Sequence, residues 1–210
     1  EARRFGIHSA MPAARALRLC PDVVFVRGNF DRYREVSQAV NSIFRRWTDL
    51  VEPLSLDEAY LDVTENHMGE PSGTRVAQAI RAAIWDELQL TASAGVALLK
   101  FVAKIASDFR KPDGLTVVPP GRVLAFIHPL DIDKLWGVGP VTARRLRAAG
   151  FHRVGDLAAS PVEALARVLG ERGAHLHAMA NGRDVRRVGP RGARRSRSAE
   201  RTFSEDVTEV

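Results

Sequence analysis

The spacing of apolar residues predicts alternating helices and strands over the first half of the chain. Apolar side chains recur every three or four residues over residues 30–47, 74–88 and 100–110, which is the period of an amphipathic helix. Residues 9–17, with Pro12 in the first turn, predict a further short helix. Short apolar runs predict strands at residues 23–26, 51–63 (two strands that meet at a bend near Ser55), 90–97 and 115–118.

The pattern changes after residue 119. From there to about residue 182 the apolar spacing predicts only short helices. Residues 188–198 are rich in arginine, glycine and proline, which is typical of a linker, and residues 201–210 alternate like a strand. The chain is therefore predicted to contain an α/β part, an all-helical part, a basic linker and the beginning of a third unit.

Composition narrows the possible classes of protein. The 210 residues are 45% hydrophobic, which is enough for one large core or two smaller ones. No apolar run approaches the roughly 20 residues needed to cross a bilayer, which argues against a membrane role. The single cysteine, Cys20, builds no disulfide framework and no zinc site, which fits a reducing cytoplasm. Because the first residue is not methionine, we expect the chain to be a piece of a longer protein.

The positive charge is concentrated near the carboxyl end. The chain has a formal net charge of +6, and residues 183–201 contain eight arginines against two acidic residues. Such a run is either a solvated tail or a contact with nucleic acid.

Two adjacent acids, Asp57 and Glu58, lie at the predicted bend between two strands. Neighbouring residues of a regular strand point to opposite faces, but at a bend their carboxylates can converge on one cation. Crowded carboxylates repel each other unless a divalent metal neutralises them, and Mg²⁺ prefers such oxygen ligands. The alternative is a solvated turn. The apolar flanks Leu54, Leu56 and Leu61 favour partial burial, and hence a metal site.

A helix-hairpin-helix pattern follows in residues 135–146. An apolar segment leads into a Gly-Val-Gly turn, and Pro140 then opens a new helix. The glycines allow a sharp turn with bare N–H groups, which together with the positive helix end can bind a DNA phosphate without reading sequence. The alternative is a plain turn between packed helices. Gly137 and Gly139 are followed by Arg144, Arg145 and Arg147 on the next helix, which favours binding of the DNA backbone.

The third feature is an amphipathic helix that ends in a Pro-Asp-Gly turn. Phe101, Ile105 and Phe109 are predicted to face inward, while Lys104 and Lys111 lie on neighbouring turns. A lysine near a helix end is either a surface charge that complements the helix dipole or a ligand for a triphosphate.

Taken together, these segments resemble the Y-family DNA polymerases, and most closely their DinB branch. They occur in the family order, with family-like spacing, across essentially the whole chain. The resemblance implies an α+β palm with truncated fingers, followed by a small all-α helix-hairpin-helix thumb. The matching segments are residues 1–12, 55–64, 104–114, 137–139 and 200–203. The implied domains are the end of the fingers (1–30), the palm (31–118), the thumb (119–185), a basic linker (186–198) and the start of the little finger (199–210).

The resemblance also implies roles for individual residues. Asp57 and Glu58 match the catalytic carboxylates that bind two Mg²⁺ ions. Arg3 and Lys111 match the residues that grip the triphosphate of the incoming dNTP, and Ala10 matches the small residue above the nascent base pair. The implied DNA-binding residues are Gly137, Gly139, Thr142, Arg144, Arg145, Arg194 and Arg195.

The activity implied by the resemblance is template-directed DNA synthesis of the lesion-bypass type. The expected partners are primer–template DNA, dNTP and the sliding clamp, which would bind a tail that this chain lacks. The protein is expected to be a monomer in the bacterial cytoplasm, associated with the nucleoid. The family's first metal-binding aspartate and its steric gate lie in an amino-terminal segment missing here, so we expect the 210-residue chain alone to be inactive.

Three other classes of protein remain open. A non-catalytic, polymerase-derived accessory protein that binds DNA would usually have lost Asp57 and Glu58. A plain helix-hairpin-helix module would not explain residues 55–64 or Arg3. A nuclease would use similar acids and metals, but would lack the basic residues that bind a triphosphate.

Overall fold

The computed structural model describes residues 1–189, 196 and 198–200. Two units can be distinguished, Glu1–Glu35 and Val36–Val210, and each is described by itself. The strand-like residues 201–210 lie outside the described residues, as do residues 190–195 and 197 of the predicted linker.

The first unit is built from short helices. Ala2–Phe5 form one turn of 3-10 helix, and helix α1 (Ala13–Leu19) confirms the helix predicted near residues 9–17. The helix begins after Pro12, which has φ −57° and ψ 137° and is therefore extended rather than helical.

The strand predicted at residues 23–26 is wrong. Val24, Phe25 and Val26 are 81%, 57% and 86% exposed, and no strand is assigned to them. A strand exists through hydrogen bonds to a neighbouring strand, and in the described part of the chain no strand pairs with this run. An apolar run is therefore insufficient evidence for a strand when its partner is unknown.

Helices predicted from apolar spacing are confirmed on either side of the first strand pair. Helix α2 (Phe30–Arg45) begins in the first unit and ends in the second. Strands β1 (Val51–Pro53) and β2 (Ala59–Leu61) are antiparallel, as predicted around the bend near Ser55. Helix α3 (Gly73–Leu88) is capped at its amino end by Ser72, whose hydroxyl accepts a hydrogen bond from the Arg75 amide.

A second, parallel pair consists of β3 (Ala94–Val96) and β4 (Leu115–Val117), and helix α4 (Lys100–Phe109) forms the crossover that parallel strands require. Both strands are shorter than predicted because only three residues of each are paired. A Cβ atom on Gly95 would lie 2.0 Å from the Ala103 carbonyl oxygen. Glycine at this position therefore lets α4 pack directly on β3.

The inward face of α4 differs in one respect from the prediction. Phe101 is fully buried and Ile105 is 8% exposed, but Phe109 is 57% exposed. Eight residues along an α-helix correspond to a rotation of about 80° beyond two full turns, so Phe109 no longer shares the face of Phe101. Its ring instead lies 5.4 Å from that of Phe126, centroid to centroid.

Short helices make up the part after β4, as predicted. Leu146, Leu157, Leu165 and Met179 are fully buried there and form one continuous core with the buried face of α4. None of the helices in the described part of the chain is both long enough and apolar enough to cross a bilayer. The helices are α5 (Val123–Ile127), α6 (Pro140–Ala148), α7 (Val154–Ala159), α8 (Val162–Leu169) and α9 (Glu171–Ala180).

Candidate active site and nucleic-acid interface

The hairpin between β1 and β2 fixes the two predicted metal ligands at its tip. The amides of Leu54 and Ser55 both donate to the Glu58 carbonyl oxygen, at 2.8 and 3.3 Å. The Ser55 hydroxyl donates to Asp57 Oδ1 at 2.6 Å. Asp57 is exposed and Glu58 is partly buried, so the tip presents two adjacent carboxylates on a backbone held by hydrogen bonds.

A chain of ion pairs connects this tip with the end of α4. Lys104 Nζ lies 3.0 Å from Glu58 Oε1 and 3.0 Å from Asp108 Oδ2. Lys111 Nζ lies 2.6 Å from Asp108 Oδ1. Lys104 and Asp108 meet because they are one helical turn apart. The structure thus brings a predicted metal ligand and the predicted triphosphate-binding lysine into one cluster of alternating charges.

The pKa values in this cluster favour its charged form. Partial burial acts to lower the pKa of Lys104, but its hydrogen bonds to Asp108 and Glu58 outweigh this effect and raise it. Burial likewise acts to raise the pKa of Asp108, and the hydrogen bonds from Lys111 and Lys104 bring it below its usual value. Lys104 therefore stays cationic and Asp108 anionic near neutral pH.

The donor set at the tip is compatible with Mg²⁺ but is a partial one. Mg²⁺ is commonly bound by one or two carboxylates together with waters and substrate phosphates, so Asp57 and Glu58 are of the right type. Among the described residues, no group of three or more histidine, cysteine, aspartate or glutamate side chains is placed to hold a metal ion. Substrate phosphates or further ligands would have to complete the coordination.

A second ionic cluster lies beside the hairpin and was missed by sequence reasoning. Lys100 Nζ lies 2.6 and 2.8 Å from the Glu52 carboxylate oxygens and 4.9 Å from the centre of the Tyr60 ring. Lys100 also donates to the Arg187 carbonyl oxygen, and the Gly189 amide donates to Glu52. These contacts tie the beginning of the predicted linker to β1 and α4. They join residues up to 137 positions apart, so no local sequence pattern could reveal them.

The glycines of the predicted helix-hairpin-helix lie in an open turn. Gly137 has φ +89°, a conformation that favours glycine, and a Cβ atom on Gly137 or Gly139 would meet no atom within 4 Å. Gly139 precedes the first residue of α6. Arg144 is exposed on that helix, whereas the Arg145 guanidinium donates to the Val168 carbonyl oxygen. Arg145 therefore also has a structural contact that the sequence did not predict.

The remaining predicted site residues lie elsewhere in the chain. Arg3 and Ala10 belong to the first unit, and both are exposed there. Ala10 has φ +62°, which is uncommon for alanine. Thr142 is partly buried on α6. Arg194 and Arg195 lie outside the described residues.

Two family models cover most of the chain. Residues 1–108 match the impB/mucB/samB family, and residues 120–151 match the IMS family HHH motif. The chain belongs to the impB/mucB/samB family. The match over residues 120–151 confirms the helix-hairpin-helix predicted at residues 135–146.

Relatives in this family share about half of the chain's residues. The DNA polymerase IV of Xanthomonas campestris pv. campestris is 56% identical over 207 residues, which is 99% of this chain and 58% of the relative. The DNA polymerase IV of Exiguobacterium sibiricum is 52% identical over 211 residues, covering 100% of this chain and 59% of the relative. The chain thus spans less than two thirds of the relatives that it matches.

Solved structures of the same fold agree with this membership. The crystal structure of DinB from Sulfolobus solfataricus has a TM-score of 0.82 at 32% identity, covering 90% of this chain and 56% of that one. A structure described as the insertion ternary complex of Dbh DNA polymerase has a TM-score of 0.81 at 32% identity, covering 89% and 55%. The resemblance to the DinB branch of the Y-family polymerases and the predicted α+β fold with a helix-hairpin-helix are confirmed.

Proposed function

We propose that the full-length protein containing this chain is a DNA-directed DNA polymerase of the lesion-bypass type. The observation that carries the proposal is the ionic cluster from Glu58 at the hairpin tip to Lys111 beyond α4. In this cluster a carboxylate of the type that Mg²⁺ prefers is connected, through Lys104 and Asp108, with a lysine of the type that binds a triphosphate, and this supports the proposal. The relatives named DNA polymerase IV support the same activity for this family.

In the proposed reaction the primer 3′-hydroxyl attacks the α-phosphate of a template-paired dNTP, with release of pyrophosphate. When bound, two Mg²⁺ ions supply neutralisation of the charge on the nucleophile and the leaving group. Asp57 and Glu58 would hold these ions, and the hydrogen-bonded hairpin keeps the backbone that carries them at a fixed position. Lys111 and Arg3 bind the triphosphate, and Ala10 leaves room above the nascent base pair. The protein thus contributes mainly position and charge.

The proposed division of the chain follows the family plan. Residues 1–30 are the end of the fingers, 31–118 the palm, 119–185 the thumb, 186–198 the basic linker and 199–210 the start of the little finger. DNA binding is assigned to the thumb and linker through backbone phosphates. We also propose a monomeric protein of the bacterial cytoplasm, associated with the nucleoid, that binds the sliding clamp.

Primer extension tests this function directly. With Mg²⁺, dNTPs and a primer–template, the full-length protein should add the nucleotide that the template specifies. DNA binding without extension would instead support the second candidate, a non-catalytic accessory protein. The open turn at Gly137 and Gly139 would be sufficient to explain such DNA binding. DNA cleavage under the same conditions would support a nuclease.

Replacing Arg144 by Ala is expected to weaken binding of primer–template DNA similarly for all sequences. Arg144 is exposed on α6, which begins just after Gly139, and a phosphate contact there carries no base readout. The slope of log K against log[salt] should fall in magnitude by about 1. Fluorescence anisotropy across a salt titration measures both quantities.

The matched control for Arg144 is Arg75→Ala. Arg75 is an exposed arginine on α3, with only a 3.7 Å pair to Glu70. The Arg75→Ala variant should bind DNA with the parental affinity and salt dependence. An unchanged salt slope for Arg144→Ala would remove Arg144 from the interface.

A further inference from the structure

The turn that carries Lys111 is held by a residue that no sequence pattern connects with it. Arg81, on α3, donates from Nε to the Ala92 carbonyl oxygen at 2.7 Å. Its terminal nitrogen donates both to the Asp113 carbonyl oxygen at 2.7 Å and to Asp113 Oδ1 at 2.6 Å. One guanidinium therefore joins α3 to the segment before β3 and to the turn before β4.

This turn is tight and strained, so it needs such support. Asp113 has φ +50°, a left-handed conformation that is uncommon for residues other than glycine. A Cβ atom on Gly114 would lie 2.0 Å from the Arg110 carbonyl oxygen, so the chain turns back directly onto the end of α4. Arg81 binds both the main chain and the side chain of Asp113, the residue of this turn that adopts the left-handed conformation.

The other anchors of the turn lie after Lys111 or on its side chain. The Gly114 amide donates to Ser93 Oγ, and the Gly114 carbonyl oxygen accepts from the Ala94 amide, which fixes the start of β4. Asp108 pairs with the Lys111 ammonium group. The backbone between these anchors is held by Arg81 through Asp113, two residues beyond Lys111. The Arg81 contacts therefore hold the backbone on the carboxyl side of Lys111.

We infer that Arg81 is a positioning residue for nucleotide binding, which acts by holding the 110–114 turn so that Lys111 points at the triphosphate. This inference rests on the function proposed above. The Arg81 side chain is only 20% exposed, and its Nε and one terminal nitrogen donate to protein oxygens. We therefore assign it an action through the turn rather than a contact with the nucleotide. Lys111 pairs with Asp108, but half of its side chain is exposed, so its ammonium group can reach a ligand. A lysine at position 81 could not make all of these hydrogen bonds, because its ammonium group is a single point charge and lacks the planar fork of the guanidinium.

The test uses steady-state primer extension by the full-length protein, with dNTP as the varied substrate. Arg81→Gln should raise KM for dNTP about tenfold, while kcat changes less and the Kd for primer–template stays unchanged. Arg81→Lys should give an intermediate KM, and it also serves if the Gln variant does not fold. Arg75→Gln, an exposed arginine on the same helix, is the matched control and should behave like the parent.

A double-mutant cycle with Lys111→Ala distinguishes positioning from a merely structural role. If Arg81 acts through Lys111, then Arg81→Gln added to Lys111→Ala should change KM by less than about twofold. The inference would be overturned if the fold-increases in KM caused by the two substitutions simply multiplied in the double variant. It would also be overturned if both Arg81 variants had a lowered Tm but an unchanged KM. If the parent protein is inactive, the proposed function itself has failed. If the parent is active but its KM for dNTP does not change in Lys111→Ala, the triphosphate role of Lys111 is overturned, and this inference with it.

Discussion

Primer extension by the full-length protein is expected to lose at least about 10³-fold in kcat when Asp57 is replaced by Asn and Glu58 by Gln. The amides retain the shape of the acids but remove the negative charge that holds a divalent cation. The hairpin should keep its fold, because the Glu58 contacts that close it come from its carbonyl oxygen. An asparagine at position 57 can still accept the Ser55 hydroxyl.

The matched control is Asp62→Asn, at the end of the same hairpin. Asp62 accepts the Thr64 amide through Oδ1, which an asparagine can also do, and we assign it no metal role. This variant should extend primers at close to the parental rate. The double variant should bind primer–template like the parent, so its defect is in chemistry rather than in DNA binding. Extension by the double variant at the parental rate would refute the assignment of the metal ligands.

The free energy of unfolding is expected to fall by about 2–3 kcal/mol when Asp184 is replaced by Ala. The Asp184 side chain is 1% exposed, and its two oxygens lie 2.8 Å from Arg186 Nε and a terminal nitrogen of the same guanidinium. The Phe101 backbone amide, at the start of α4, also interacts with this carboxylate and acts to lower its pKa. Alanine leaves these donors without an acceptor. Arg186, which lies 4.7 Å from the Trp136 ring centre, is partly exposed and regains some hydration, which limits the loss.

Urea unfolding measures this loss, and hydrogen exchange of the Phe101 amide locates it. That amide should exchange faster in the Asp184 variant, whereas Asp86→Ala, an exposed acid on α3, should leave it unchanged. Equal exchange rates in both variants would show that Asp184 does not hold the start of α4.

The contribution of Asp184 should also depend on pH. Burial acts to raise its pKa, but the Arg186 hydrogen bond and the backbone amides outweigh this effect and bring the pKa below its usual value. A depressed folded-state pKa means that the stabilisation is present in full above the unfolded pKa, about 3.9. It is lost as the pH falls through the folded value. The stability difference between parent and variant should therefore be constant near neutrality and shrink in strong acid.

Local patterns predicted most of the elements because the helices here carry their own signal. The apolar spacing of residues 74–88 matches α3 to within one residue, and the Pro-Asp-Gly turn marks the end of α4. The same reasoning failed where the structure of a segment depends on contacts with other parts of the chain. The apolar run at residues 23–26 has no paired strand in the described part of the chain, and Phe109 has rotated away from the buried face of α4.

The candidate site divides in the same way. Asp57, Glu58 and Lys111 were identified because each lies in a short motif of characteristic residue types. Their connection through Lys104 and Asp108 was not predicted, since Glu58 and Lys104 are 46 positions apart. The contacts of Arg81 and Glu52 were not predicted at all, because an isolated arginine or glutamate in a helix or strand is usually a solvated charge.

The sequence by itself thus determined the family, the order of helices and strands and the identity of the candidate ligands, because periodicity and motif chemistry are local properties. Only the tertiary structure decided which charges meet. Ion pairs such as Arg81–Asp113 and Lys100–Glu52 join residues 32 and 48 positions apart. Their formation depends on how α3, α4 and the two strand pairs pack. That packing is set by the whole core, and no single segment of the chain encodes it.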